Sequence, residues 1–136
     1  MVALTAARNT PAALGDIRQV PVAANAVIYQ GAKVQINAAG FAVPASATAA
    51  NVTIGRAEQG VDNTGGANGA KTIDVKRGIF RFANSTAGDL ITRTEIGKDC
   101  YVVDDQTVAK TNNAGARPVA GKVYDVDAQG VWVEIA

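Results

Sequence analysis

From residue 26 onward the chain is written in short runs in which apolar and polar residues alternate, and each run is cut by Gly, Asn, Asp or Pro. Ala32, Val34 and Ile36 fall on one side of such a run, and Lys33, Gln35 and Asn37 on the other. A period of two marks a strand with one face on a core. A turn at Gly40 leads into Phe41-Ala-Val43, and residues 52–57 read as another strand with Gly55 as a bulge. Before Gly78 the inward positions are odd (Ile73, Val75); after it they are even (Phe80, Phe82). A change of face at a glycine is the mark of a β-bulge or a sheet corner. Cys100-Tyr-Val-Val103 and Gln106-Thr-Val-Ala109 should pair around Asp104 and Asp105. The last hairpin turns at Asp127-Ala-Gln-Gly130, with Val131, Val133 and Ile135 on the core and Trp132 and Glu134 facing away. An outward Trp is either a packing lid or an anchor at an oligomer contact.

Helical signals are few. Thr92-Arg-Thr-Glu95 fits a capping box but meets Ile96-Gly97 at once, which allows one or two turns. Residues 60–70, rich in Gly and Asn, form a loop. The expectation is an all-β chain of about eight to ten short strands, a small antiparallel β-sandwich or barrel-like domain with at most one short helix. No fixed repeat period is visible.

Residues 1–24 differ from the rest. They are rich in Ala and polar residues, hold Pro11 and Pro21, and show no clean period. They read as an extended N-terminal arm, and residues 25–136 as a single β domain. The arm is either a frayed terminus or a segment that orders on a partner surface.

Composition narrows the function classes. At 136 residues the chain can bury a real core. Charged residues make up 18%, against roughly 25% in typical domains, so part of the surface is expected to be covered by partners. Thirteen basic and twelve acidic residues give +1 with no basic block, which argues against nucleic acid as a partner. No apolar run reaches the length of a membrane span, and no signal peptide is evident at the N-terminus. The single Cys100 lies in an apolar strand and reads as a small buried hydrophobe.

The chain has no histidine, which removes the commonest general base and most zinc sites. Residues 65–72 resemble a phosphate-binding loop, but Ala70 stands where the motif needs glycine and a strand follows where it needs a helix. Residues 125–130 resemble the start of a calcium loop, but its twelfth position falls on Ala136, which has no carboxylate side chain. Asp104 and Asp105 are neighbours in sequence, a poor arrangement for an acid/base pair. The expectation is a protein that is not an enzyme, with no catalytic residue, cofactor, metal or small-molecule substrate.

Several strings together resemble the head decoration, or capsid cement, proteins of tailed bacteriophages and prophages. They are Ile54-Gly-Arg-Ala57, Val61-Asp-Asn63, the Gly-rich loop that follows it, Val75-Lys-Arg-Gly-Ile-Phe80, Ile96-Gly-Lys-Asp-Cys-Tyr-Val-Val-Asp-Asp105 with Thr107-Val108, Ala120-Gly-Lys-Val123 and Gly130-Val-Trp-Val133. The resemblance spans residues 26–136; the Cys100–Asp105 and Gly130–Val133 strings are its most specific parts, and the arm has no counterpart in it. It implies a homotrimer, made in the host cytoplasm, that sits on the capsid exterior of the virion. There it would bridge neighbouring major capsid protein subunits and stabilise the shell. On this reading Val2, Leu4, Arg8, Leu14 and Arg18 are the candidate capsid-binding residues of the arm, and Phe82 and Trp132 the candidate oligomer contact. The alternative is another phage structural component, a tail or fibre part that binds a receptor or glycan through exposed aromatics such as Tyr29, Tyr101, Tyr124 or Trp132.

Overall fold

The computed structural model describes residues 2–136; residue 1 of the expected arm lies outside them. The described chain is nearly all-β. In order come β1 (Ile17–Pro21), β2 (Val27–Ile28), β3 (Lys33–Ile36), β4 (Ala42–Pro44), β5 (Val52–Ala57), β6 (Val61–Asp62), β7 (Thr72–Lys76), β8 (Gly78–Phe82), β9 (Asp99–Val102), β10 (Val108–Ala109), β11 (Val119–Asp127) and β12 (Gly130–Ile135). The helical content is two 3-10 turns, Ala87–Asp89 and Arg93–Glu95, the second at the expected capping box, within the limit of at most one short helix.

The strands form two five-stranded antiparallel sheets and a small β2-β6 pair. The first sheet runs β1-β7-β5-β3-β4, the second β8-β12-β11-β9-β10. Each curls until its two edges meet at a parallel bridge, Val22 with Ala42 in the first and Ala83 with Thr107 in the second. Closing the edges in this way leaves fewer unpaired backbone groups than two open sheets would.

The two orders are the same topology used twice, in contrast to the expectation of no repeat. Residues 31–57 and 97–123 correspond at a constant spacing of 66, as in Gly31 and Gly97, Gly55 and Gly121, or Ala57 and Val123. Strand registers agree at that spacing. Lys33 opposes Arg56, and Asp99 opposes Lys122; Gln35 opposes Thr53, and Tyr101 opposes Val119. Both ladders carry a bulge at the same place. Backbone hydrogen bonds repeat as well: Gly31 N–H donates to Ala57 O at 3.0 Å and Gly97 N–H to Val123 O at 2.8 Å, while Ala57 N–H donates to Ala32 O and Val123 N–H to Lys98 O, both at 2.9 Å. The repeat escapes notice because few positions keep their residue type. What persists is an apolar-Gly-basic-apolar string, Ile54-Gly-Arg-Ala57 and Ala120-Gly-Lys-Val123.

Each unit has its own core. Val20, Val22, Ile28, Val34, Ile54, Ala57, Ile73 and Val75 fill the first, and Phe80, Phe82, Ile91, Cys100, Val102, Val123, Val131 and Val133 the second. Cys100 takes the place that Val34 holds in the first unit, fully buried. The face change at Gly78 is the passage from the first sheet to the second, since β7 and β8 are consecutive strands of different sheets. Val131, Val133 and Ile135 are buried, Trp132 is half-buried and Glu134 exposed, as the alternation predicts.

The N-terminal boundary moves. An arm reaching residue 24 is the reading from sequence, but β1 pairs along β7 from Ile17 opposite Lys76 to Pro21 opposite Thr72. Val20 and Val22 belong to the first core. An edge strand with one inward valine and a terminal proline carries too little alternation to be read as a strand.

Candidate functional site

Two regions hold the residues singled out by sequence: the N-terminal segment and the seam between the two units. Residues 2–16 are exposed throughout and form no strand. Val2 is 91% exposed, Leu4 73% and Leu14 95%, so all three present nearly their whole side chains to solvent. Arg8 is exposed on the same segment, whereas Arg18 lies on β1, exposed and opposite Val75. The segment stays free because three isolated large apolar residues among Ala, Thr, Asn and Pro cannot form a face that packs. Burying them on a partner is worth about 1.5–3 kcal/mol each, while ordering each residue of backbone costs about 1–2 kcal/mol. Side-chain burial from one arm is therefore too weak for stable attachment, and several arms acting together are required.

Lys33 and Gln35 are the residues that pattern reading misplaced. Both sit on the polar side of β3 and read as solvent-facing, yet both are fully buried: Gln35 under Ser46 and Asn51, with which its amide bonds, and Lys33 at the seam, under the second unit. The Lys33 backbone N–H donates to Asp105 O at 2.8 Å. Its ammonium donates to Thr107 O at 3.3 Å and lies 4.2 Å from the centre of the Phe82 ring. The Arg56 guanidinium lies 4.4 Å from the Phe80 ring centre, and Ala45 of the first unit enters the second core. Phe82 is therefore not a free oligomer contact. It is 6% exposed, with its ring inside the second core and under the Lys33 ammonium. It shares the inward parity of Phe80, which removes it from any partner.

Trp132 remains half-buried on the outer side of β12. Its indole N–H donates to Asp127 Oδ2 at 2.9 Å, and the Arg81 guanidinium lies 5.5 Å from its ring. That indole bond, with the Gln129 N–H, holds the Asp127 carboxyl below its usual range. Trp132 and Phe82, expected together, are separated by the alternation of their strands: one faces out, the other in.

Burial pushes the Lys33 ammonium down to about 8, against the attraction of Asp104, Cys100 and Asp105. Burial likewise pushes the Cys100 thiol up to about 12, consistent with an inert core residue. These shifts fix a pH profile. Between about pH 8 and 10.5 the unfolded chain holds the Lys33 proton and the folded chain does not, so stability rises with pH. Above pH 9.0 the unfolded thiol loses a proton that the folded thiol keeps, so stability falls by the same slope. The sum is a gain of about 1 kcal/mol from pH 8 to 9, a plateau to 10.5, and then a decline. Lys33→Met is expected to abolish the gain and to leave the protein at least as stable at pH 7, because a buried charge is replaced by an apolar chain of similar length. Urea denaturation at pH 7, 8, 9 and 10 checks this; a variant more than 1 kcal/mol weaker at pH 7 contradicts it.

The turn between β9 and β10 contains Asp104 and Asp105. Asp104 Oδ1 accepts the Gln106 N–H at 2.9 Å and so shapes the turn. The expected capping residue Glu95 is buried beside its 3-10 turn; its Oε2 accepts the Thr94 and Thr92 hydroxyls, both at 2.8 Å, and its carboxyl is held down to about 2, chiefly by the Thr94 bond. Among the described residues no group of three Asp, Glu, Cys or His is placed to hold a metal ion. Next to the seam, Tyr29, Gln30, Gly31, Ala32, Asp105 and Gln106 line an open hollow of about 410 Å³. Comparison with protein-family models, curated proteins and solved structures finds no match to this chain.

Proposed function

We propose that this chain is a head decoration protein of a tailed phage, binding the outside of the capsid as a trimer and clipping neighbouring major capsid subunits together. One observation carries the reading: a long segment with exposed Val2, Leu4, Arg8 and Leu14 projects from a fully packed β body. A weakly charged body and the resemblance over residues 26–136 support it. The action is mechanical. Packed DNA pushes the shell outward, and each clip adds contact that must break before subunits part. Three arms on one trimer convert weak single contacts into tight attachment, since the second and third bind at high local concentration. Stabilisation follows by mass action, because the clip binds the closed shell and not its separated parts. No covalent step is involved.

The test is to add the purified chain to expanded shells that lack it. Saturable binding in multiples of three, with a rise in the temperature of shell rupture, supports the proposal. Shells that remain bare refute it.

One observation favours the alternative of a receptor-binding tail or fibre part. Tyr29 lies just beyond β2 and is 71% exposed at the rim of the hollow lined by Gln30, Asp105 and Gln106. A flat aromatic beside amide and carboxylate groups suits a sugar ring. On this alternative a glycan array gives tight binding that Tyr29→Ala removes; on the cement reading the array stays blank.

A further inference from the structure

The two units bury unequal shares of the same face. In the first unit the outer side of β3 and β5 is closed by the second, through Lys33 N–H on Asp105 O, Lys33 on the Phe82 ring, Arg56 on the Phe80 ring, and Ala45 in the second core. The 66-residue spacing identifies the matching positions on the second unit: Asp99 for Lys33, Lys122 for Arg56 and Thr111 for Ala45. All three are uncovered. The Asp99 and Lys122 side chains are 43% and 60% exposed and, among the described residues, pair only with each other, at 2.9 Å. Thr111 is exposed, and among the described residues the Asp99 N–H makes no hydrogen bond outside its own sheet.

A two-fold relation between units would bury both faces alike. One buried and one open face define a head-to-tail step, which adds further units until it closes on itself. The parts that close the first face are β8 and the turn at residues 104–107. Their counterparts in the first unit are β1 and the turn at residues 38–41, since Ile17 and Ile79 oppose equivalent residues of β7 and β12. Those counterparts are open too: Ile17, Arg18 and Gln19 are exposed, as are Ala38, Ala39 and Gly40.

We infer that the open face of the second unit receives the first unit of another copy of this chain, repeating between molecules the contact that the chain makes within itself. Asp99 N–H then donates to Ala39 O as Lys33 N–H donates to Asp105 O. Arg18, in the place of Phe80, comes against Lys122 as Phe80 lies against Arg56, so the Asp99 carboxylate that Lys122 already holds is the group that offsets the second positive charge. The receiving face carries Asp99, Lys122 and Glu134, net negative by one, against the positive Arg18. Residues 49–53 and their counterparts 115–119 face each other across a hollow of about 590 Å³, which sets them nearest the axis of the step. The contact rests on the duplication; only the ring size rests on the trimer proposed above. Three chains close a ring when the step averages about one sixth of a turn.

The experiment uses the full chain without shells, so its outcome is independent of capsid binding. Ala39→Cys and Asp99→Cys are made separately in a Cys100→Val background and oxidised alone or mixed. Adjacent Cα atoms in the copied contact fall within disulfide range, about 4.4–6.8 Å. Covalent pairs in the mixture are expected at least ~10-fold above either variant alone, because a head-to-tail contact never brings two copies of one position together. Equal cross-linking of one variant alone, or none in the mixture, overturns the inference. In light scattering, Asp99→Arg and Arg18→Asp should each weaken association about 10-fold or more, and the double variant should restore it. Both side chains are exposed, so folding is retained. A wild-type chain that stays monomeric at high micromolar concentration, or a double variant without rescue, also overturns it.

Discussion

A chain lacking residues 2–16 is expected to fold with unchanged stability and, on the proposed function, to lose capsid binding. The cut is set by structure. Asp16 O accepts the Arg77 N–H at 3.0 Å, and β1 begins at Ile17, so removal up to residue 16 spares the first sheet. A deletion reaching residue 20 would strip most of β1 and the buried Val20, and any loss of binding would then be confounded with unfolding. Val2, Leu4 and Leu14 contribute about 1.5–3 kcal/mol each when buried, and three arms act at once, so occupancy should fall by more than about 100-fold. Thermal unfolding of the free chain and co-sedimentation with shells read the two halves of the prediction. Unchanged occupancy after the deletion would remove the arm from the mechanism.

The second large effect is on stability. Gly121→Ala is expected to cost about 3 kcal/mol or more and to lower Tm by about 10 °C or more. A Cβ at Gly121 would overlap the Glu134 carbonyl oxygen and crowd a methyl of Val133, so β11 and β12 must separate at that point. Gly55→Ala should behave alike, since its Cβ would overlap the Lys76 carbonyl oxygen at the matching place of the first unit. Gly88→Ala is the control: nothing lies within 4 Å of its Cβ, and a change within about 0.5 kcal/mol is expected. Chemical denaturation of the three variants decides it, and equal midpoints for Gly121→Ala and Gly88→Ala would contradict the tight β11–β12 approach. A parallel loss at Gly55 and Gly121 would also bear on the duplication.

What was legible in the sequence was whatever a single strand states by itself. The closing hairpin shows because Val131, Val133 and Ile135 alternate across a turn at Asp127–Gly130, and the passage at Gly78 shows because parity changes at a residue that permits it. β1 was illegible since an edge strand needs only one inward residue, Val20, to be held. Lys33 was illegible for a different reason. Its polar side of β3 faces the other half of the molecule, and no local pattern reports a cover supplied from residues 82–107. Phe82 was read with correct parity, yet a residue that faces a core is already spent on that core. The duplication was hidden because its registers depend on backbone geometry and on Gly55 and Gly121, while the side chains around them diverged. Of the candidate site, the free arm was visible as composition, and the seam needed the fold.

The proposed function is decided by a density map of phage shells incubated with the purified chain. A β-rich trimer is expected on the outer surface, over the boundary between major capsid subunits, with residues 2–16 of each copy ordered against the shell. Chain density anywhere else, or none, refutes the proposal.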